Sequence, residues 1–380
     1  MTSLDRDIAD LADLAHVGGW AVLDAVDKFL TRFIAHPNEH ARYAHALWLA
    51  HTWRMDEWDS TPRLGFMSPE KGSGKTRALE VSEHLVPHGV RVSQATTGYI
   101  LARISEDPPP TLLYDEIDTV YGPKTRGNEE LRAVLNAGHR RGATAGRGNW
   151  GNDGLAGQDY PAYCAVALAG LGKLPETIAD RAVIIRMKKR KRTERVEPWR
   201  PRVNAKEANA LGAALGSWMM DASLSWPDNM PVEDRAADVW EPLIMVADAA
   251  GGHWPATARN AALVLTSDKP QASLGVRLLR DLQIVFGPND KMRSEDIITA
   301  LTELSESPWQ RFHADGSPLD FRDLARFLRE YDIRPRDVWI DGSSSKGYHA
   351  DDLRDAWERY VHPSTIREVR EVRDGLDGTR

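Results

Sequence analysis

The 380-residue sequence predicts an α/β protein built on a parallel sheet, and three observations carry that expectation. Short apolar runs suited to buried strands alternate with segments of helical spacing between residues 61 and 187. One run, Leu64-Gly65-Phe66-Met67, leads into Ser68-Pro69-Glu70-Lys71-Gly72-Ser73-Gly74-Lys75-Thr76, a Gly-rich turn ending in Lys-Thr. About forty residues later the run Thr111 to Tyr114 ends in the acidic pair Asp115-Glu116.

The elements follow in chain order. Leu11, Leu14, Leu23, Val26 and Leu30 recur at helical spacings, so residues 1–60 are expected to be helical. Ala78, Leu79, Val81 and Leu85 predict a helix from Arg77 to Leu85, as a phosphate-binding turn between strand and helix requires. The Thr111–Tyr114 strand delivers its two acids at a C-terminal end, where ligands sit in open α/β sheets. A helix is expected from Asn128 to Arg140, then a Gly-rich excursion from Gly142 to Gly157 and a strand from Ala162 to Leu168. Leu174 to Arg181 reads as a short helix and Ala182 to Met187 as another buried strand. Beyond about residue 204 the chain reads as helices, among them Glu241 to Ala250 and Thr257 to Thr266. Between 274 and 362, Val338-Trp339-Ile340 and the turn-rich Asp341 to Tyr348 resemble the hairpin of a winged helix-turn-helix. The tail after Pro363 is charged and poor in apolar residues.

The turn and the acidic pair together supply what nucleoside triphosphate hydrolysis needs. Backbone N–H groups of Gly72, Ser73, Gly74 and Lys75 converge on an anion, and Arg77 follows them on the helix. Lys75 reaches the β- and γ-phosphates, while the Thr76 hydroxyl and Asp115 hold Mg²⁺. Glu116 orients or deprotonates the attacking water, which favours hydrolysis over simple binding. Pro69 stands where such a loop has its first glycine. A second Gly-Lys, at Gly172-Lys173, precedes Leu174, has no hydroxyl for Mg²⁺ and is discounted.

Composition bounds the rest. The length predicts two or three domains. No stretch is apolar enough to cross a bilayer and no secretion signal is visible, so a cytoplasmic protein without a membrane partner is expected. The single cysteine, Cys164, excludes disulfides within the chain, and His36, His40, His45 and His51 read as surface or packing residues. The net charge of −7 argues against a protein coated with nucleic acid. Residues 186–202 nevertheless hold nine basic and two acidic residues, a net +7 that leaves −14 elsewhere. That stretch is either a solvated connector or a DNA-facing surface.

Gly138 to Trp150 combines Arg140, Arg141, Arg147 and Trp150 with enough glycine to project as a hairpin. Such a loop either tracks a nucleic-acid backbone while the aromatic stacks on bases, or is a Gly-rich surface loop whose arginines pair with acids. Arg181, directly before a strand, suits either an arginine finger acting on a neighbouring subunit's γ-phosphate or an internal pair with an acid such as Asp180. Arg259, near a helix start, suits either a nucleotide contact from a lid or a solvated surface.

These residues, in this order, resemble an AAA+ ATPase, and the resemblance covers most of the chain. Within that superfamily the chain is similar to an uncharacterised family encoded by phages, prophages and actinobacteria, often linked to primase-type replication modules. Thr61-Pro62-Arg63-Leu64, Pro110 to Glu116, Leu135-Asn136-Ala137-Gly138-His139-Arg140-Arg141 and Ala179-Asp180-Arg181 carry it in the core. Lys346-Gly347-Tyr348 and Asp355-Ala356-Trp357 carry it near the C-terminus. The resemblance implies a ring, usually a hexamer, with ATP between subunits and DNA or protein in the pore. It assigns Arg181 as the finger acting in trans and Arg259 as the lid sensor. It also implies a polar sensor after the Ala162–Leu168 strand, where this chain has Ala169, Gly170 and Leu171.

The domains expected are an N-terminal helical region (1–60), an AAA+ core (61–195), a helical lid (196–273), a winged-helix-like domain (274–362) and a tail (363–380). The function expected is an ATP-dependent translocase or helicase of a phage or mobile element, using ATP and Mg²⁺. It would move single-stranded DNA in preference to duplex and work beside a primase or another replisome protein. A helicase loader or protein remodeller, and an initiator that uses ATP for assembly, are the alternatives.

Overall fold

The computed structural model describes residues 14–121, 129–151, 154–267, 274–304, 307–313 and 315–361. They fall into two compact units that divide between residues 268 and 269.

The first unit is organised around five parallel strands: β1 (Arg63–Ser68), β2 (Gly89–Val92), β3 (Thr111–Tyr114), β6 (Val166–Leu171) and β7 (Ala182–Arg186). Their order is β2-β3-β6-β1-β7, so β1 lies between β6 and β7 and all six of its residues are buried. Side chains alternate between two apolar layers, as the period of a strand requires. Leu64 and Phe66 of β1, Leu113 of β3, Ala167 of β6 and Ile185 of β7 face one core. Met67, Leu112, Tyr114, Val166 and Leu168 face the other. The first core also takes in the helices Gly19–Phe33, Glu39–His51, Pro201–Asp221, Asp234–Ala250 and Trp254–Ser267. The α/β core with a parallel sheet and a phosphate loop is therefore present, with N-terminal helices and the later helical segment on one face of it.

Several expected boundaries move. The strand foreseen at Ala162–Leu168 starts later and runs to Leu171, because β1 extends through Ser68 and pairs Ser68 with Leu171. Ala162 and Cys164 give their N–H groups instead to Ala143 and Gly138, at 2.9 and 3.3 Å. The helix foreseen at Asn128–Arg140 spans Glu129–Ala137. It stops at Gly138, where a Cβ would lie 2.1 Å from the Ala162 carbonyl oxygen. The Gly-rich excursion is an antiparallel hairpin, β4 (Thr144–Gly151) with β5 (Gly154–Pro161). The helix foreseen from Glu241 starts at Asp234 and runs through Pro242.

In the second unit, β8 (Lys291–Arg293), β9 (Arg336–Ile340) and β10 (Ser343–His349) form a sheet in the order β8-β10-β9. Helices Leu274–Phe286, Ser294–Glu303 and Phe321–Arg329 precede the β9–β10 hairpin. Asp341 and Gly342 join its strands with φ of 50° and 77°, the pair of positive values that tight hairpins favour. This is the winged-helix-like arrangement that the sequence suggests.

Two of the four histidines between residues 36 and 51 are fully buried. His51 donates through Nδ1 to the Trp48 carbonyl and accepts at Nε2 from Thr61 Oγ1 at 3.0 Å, so its neutral ring has both nitrogens engaged. His45 Nε2 lies 2.8 Å from Ser82 Oγ, whose own proton goes to the Ala78 carbonyl. His45 therefore donates there, and at Nδ1 it accepts from His36 Nε2 at 3.1 Å. Burial pushes the His51 pKa from 6.5 to about 4 and lowers His45 well below the ordinary value. Both groups add full stability above pH ~6.5 and lose it as pH falls, because the unfolded chain then binds protons the folded one excludes. His51 alone should remove about 3 kcal/mol by pH 4 in urea unfolding. His51→Gln should flatten that slope, and an unchanged slope would contradict this assignment.

Candidate nucleotide site

The loop after β1 is held by hydroxyls. Ser68 Oγ donates to the Glu70 carbonyl at 2.7 Å and accepts from Ser73 Oγ at 2.8 Å and Lys75 Nζ at 2.5 Å. Lys75 also donates to Ser73 Oγ at 3.1 Å and the Glu70 carbonyl at 3.3 Å, and is only 9 % exposed. Desolvation lowers its pKa, while the fields of Asp115 and Asp118 work to raise it. Gly74 takes φ of 87° and turns the chain into the helix Lys75–Ser82, a conformation that glycine adopts without strain. The helix therefore starts with its N–H groups directed at the loop, with Thr76 exposed at its second position.

The acids arrive on β3, two strands away. Asp115 accepts from the Glu116 N–H through Oδ1 at 2.9 Å, and its own N–H goes to Val92 at 2.7 Å. Glu116 is exposed and sits at φ of 55°, a left-handed conformation that costs a non-glycine residue about 1–2 kcal/mol. Thr119 holds that turn, donating to the Glu116 carbonyl through both N–H (2.9 Å) and Oγ1 (2.8 Å).

At the end of β6, Gly170 has no room for a side chain. A Cβ there would lie 2.7 Å from Ile117 Cγ2 and 2.9 Å from Asp118 Oδ1. Asp118 supplies the polar group at this strand end, accepting from the Leu171 N–H at 2.9 Å. Apart from its position three residues beyond Asp115, nothing in the sequence marks Asp118.

Beside the loop opens a cavity of about 360 Å³. Gly72, Ser73 and Gly74 form one wall, and Phe33, Ile34 and Ala35 another. Arg77, Arg190 and the stretch Val196-Glu197-Pro198 complete it. The basic connector after β7 is exposed over Lys188–Arg195 but doubles back against the loop. Glu197 anchors it, giving its N–H to the Arg32 carbonyl at 2.6 Å and pairing with the Arg32 guanidinium at 3.0 and 3.2 Å. That hydrogen bond holds the Glu197 pKa below the usual range. Trp199 packs edge-on against Phe33 with centroids 5.1 Å apart.

Arg181 lies at the opposite edge of the sheet. Its carbonyl accepts from the N–H of Arg63, the first residue of β1, at 2.9 Å. Its Nε donates to His139 Nε2 at 3.1 Å and its Nη1 donates to the Thr177 carbonyl. Asp180 is paired with Arg235 at 2.8 Å. A second cavity, about 370 Å³, gathers Arg181, His139, Arg140 and Arg235 with Ser60 and two aspartates.

The remaining candidates are dispersed. Arg259 is held by Asp248 at 2.6 and 2.9 Å and by the Asn229 carbonyl at 3.0 Å, away from the loop cavity. Arg141 donates to the Trp58 carbonyl at 3.1 Å. Arg147 and Trp150 fall on β4, and their side chains lie outside the described residues. The structure thus brings the loop and the acids to one edge, while Arg140 and Arg181 meet at the other.

Residues 186–360 match the family model described as "Protein of unknown function (DUF3631)". A Saccharopolyspora erythraea protein, "Uncharacterized 28.9 kDa protein in xis 5'region", is 39% identical over 211 residues, 50% of this chain and 79% of that protein. The chain belongs to the family of that protein. For this family member, the DUF3631 match begins at the last residue of β7 and takes in the connector and everything after it to 360. Among solved structures, the apo NrS-1 C-terminal region is similar at 10% identity, 84% of this chain, 77% of that chain and a TM-score of 0.43. The Aeropyrum pernix ORC2 protein, in ADPNP–ADP complexes, is similar at 12% identity, 85% and 94% coverage and a TM-score of 0.28. At those scores the fold assignment rests on the sheet and loop described above.

His139 donates through Nδ1 to the Asn136 carbonyl at 2.8 Å, which leaves Nε2 unprotonated to receive Arg181. Burial, followed by the fields of Arg63, Arg181 and Arg140, pushes its pKa down to about 4 against the backbone bond. NMR of the imidazole nitrogens should find a neutral Nδ1–H tautomer down to about pH 5. Titration near 6.5 would contradict this geometry.

Proposed function

We propose that this protein hydrolyses ATP at sites shared between copies of itself and couples the reaction to movement along single-stranded DNA. The carrying observation is the separation of the two cationic centres across the sheet. β1 spans six residues at about 3.3 Å each, so Arg181 stands about 20 Å from its own loop. An arginine organised at that distance serves a triphosphate only on another chain, which is the reason for reading a ring, in keeping with the AAA+ resemblance.

In this reading the triphosphate lies on the N–H groups of Gly72 to Thr76 and displaces the Ser68 and Ser73 hydroxyls as partners of Lys75. The base enters the cavity between Phe33–Ala35 and Val196–Pro198, whose apolar faces suit a planar heterocycle. Thr76 and Asp115 offer the hydroxyl and carboxylate oxygens that Mg²⁺ takes, and would hold it, with Arg77 beside the phosphates. The bound ion would offset phosphate charge. Glu116 orients the attacking water and accepts its proton, and Arg181 of another copy stabilises charge that develops on the γ-phosphate. Arg259 would join only after releasing Asp248. The β4–β5 hairpin, carrying Arg147 and Trp150, is the element assigned to the polymer. A replication role in a phage or mobile element, beside a primase-type partner, completes the reading.

A second reading, an initiator that uses the C-terminal unit on duplex DNA, draws on the 64 % exposed Trp339 of β9 and the 56 % exposed Phe321. Forked DNA separates the two. The wild-type protein with MgATP should release the displaced strand, whereas tight duplex binding without release would favour the initiator. Glu116→Gln should keep ATP binding and lower turnover about 10²- to 10⁴-fold. Turnover that survives the change would remove Glu116 from the reaction.

A further inference from the structure

The stretch Gly138-His139-Arg140-Arg141 introduces the hairpin yet is fastened elsewhere. The His139 carbonyl accepts from the Thr61 N–H at 2.8 Å and Arg141 gives its N–H to Asp59 at 3.0 Å, the two bonds that set Arg140 opposite Ser60 in an antiparallel pair. Both bonds go to the segment that enters β1, so these residues are fixed to the sheet. The hairpin strands begin only at Thr144. A cation that follows a moving polymer belongs on the hairpin, whereas one that meets a developing charge must be held rigidly.

Arg140 is exposed and lines the same 370 Å³ cavity as Arg181 and Arg235. Two aspartates line it as well, and Asp180 is already occupied by Arg235. Among the residues lining it three guanidiniums face two carboxylates, and His139, whose two nitrogens are engaged by Asn136 and Arg181, adds a rigid wall. A doubly charged terminal phosphate complements such a cavity, and a guanidinium presents it with paired N–H donors.

We propose that Arg140 acts with Arg181, both set around His139, as a second cation for the terminal phosphate of a nucleotide held by another copy of this chain. The proposal rests on the shared-site reading above and moves Arg140 from the polymer to the contact between copies.

Mixing of full-length variants tests it. Lys75→Ala retains Arg140 and Arg181 but has a disabled loop, and Arg140→Ala retains the loop. Each alone should hydrolyse ATP slowly, Arg140→Ala by about tenfold or more below wild type, and an equimolar mixture should recover activity. Arg140→Lys should recover part of it without mixing, and an unchanged thermal midpoint shows that each variant folds. The log–log salt slope of single-strand binding should not change in Arg140→Ala. Wild-type hydrolysis by Arg140→Ala, no recovery on mixing, or a slope smaller by about 0.7 would overturn the assignment. Arg181→Ala runs alongside. If it too fails to recover with Lys75→Ala, the shared-site reading falls. If it recovers while Arg140→Ala behaves as wild type, only the role of Arg140 falls.

Discussion

Burial of β1 between β6 and β7 is the constraint on which the rest depends. Parallel neighbours on both sides and apolar layers on both faces fix its direction and its register. One end of the strand then delivers the loop beside the ends of β3 and β6, and the other meets Arg181 and the His139 turn. Neither group of residues can drift towards the other, because a slip of one residue would reverse every side chain between the two cores. The separation of the two groups of residues follows from the sheet and needs no separate device.

The strand begins with an unusual residue for a core. Arg63 is 1 % exposed, and its guanidinium donates to the carbonyls of Cys164 (2.5 Å) and Leu135 (3.0 Å), with no carboxylate paired to it among the described residues. Burial lowers its pKa, and the nearby Arg181 lowers it further. Leu135 lies in the last turn of the helix Glu129–Ala137, where the helix dipole presents partial negative charge. That placement ties together the helix end, the chain before β6 and the start of β1. Burial raises the Cys164 thiol to about 11 against the lowering field of Arg63, so the lone cysteine is an inert packing group.

Much of this was legible in the sequence because the signals were local. The loop, the acidic pair, the alternation of strands and helices and the wing hairpin all depend on spacings within a few residues. What was missed depends on long-range contact. The apolar pattern ends β6 three residues early, because its extent is set by pairing with Ser68 and no pattern of its own marks it. The cavity beside the loop joins residues 33–35 to 190–198, and no local pattern signals that Glu197 will bind Arg32. The same holds for His139, whose partner lies forty-two positions along the chain. Sequence proximity groups Arg140 with the hairpin, while its main chain is paired with the segment before β1.

The central claim is that a nucleoside triphosphate rests on the loop with its base between the N-terminal helices and the connector. Photolabelling with 8-azido-ATP, followed by mapping of the modified peptide, measures this directly. The label should fall within residues 33–35 or 190–198, be displaced by ATP and be lost in Lys75→Ala. Label at any other place, or label that persists in Lys75→Ala, would contradict the account.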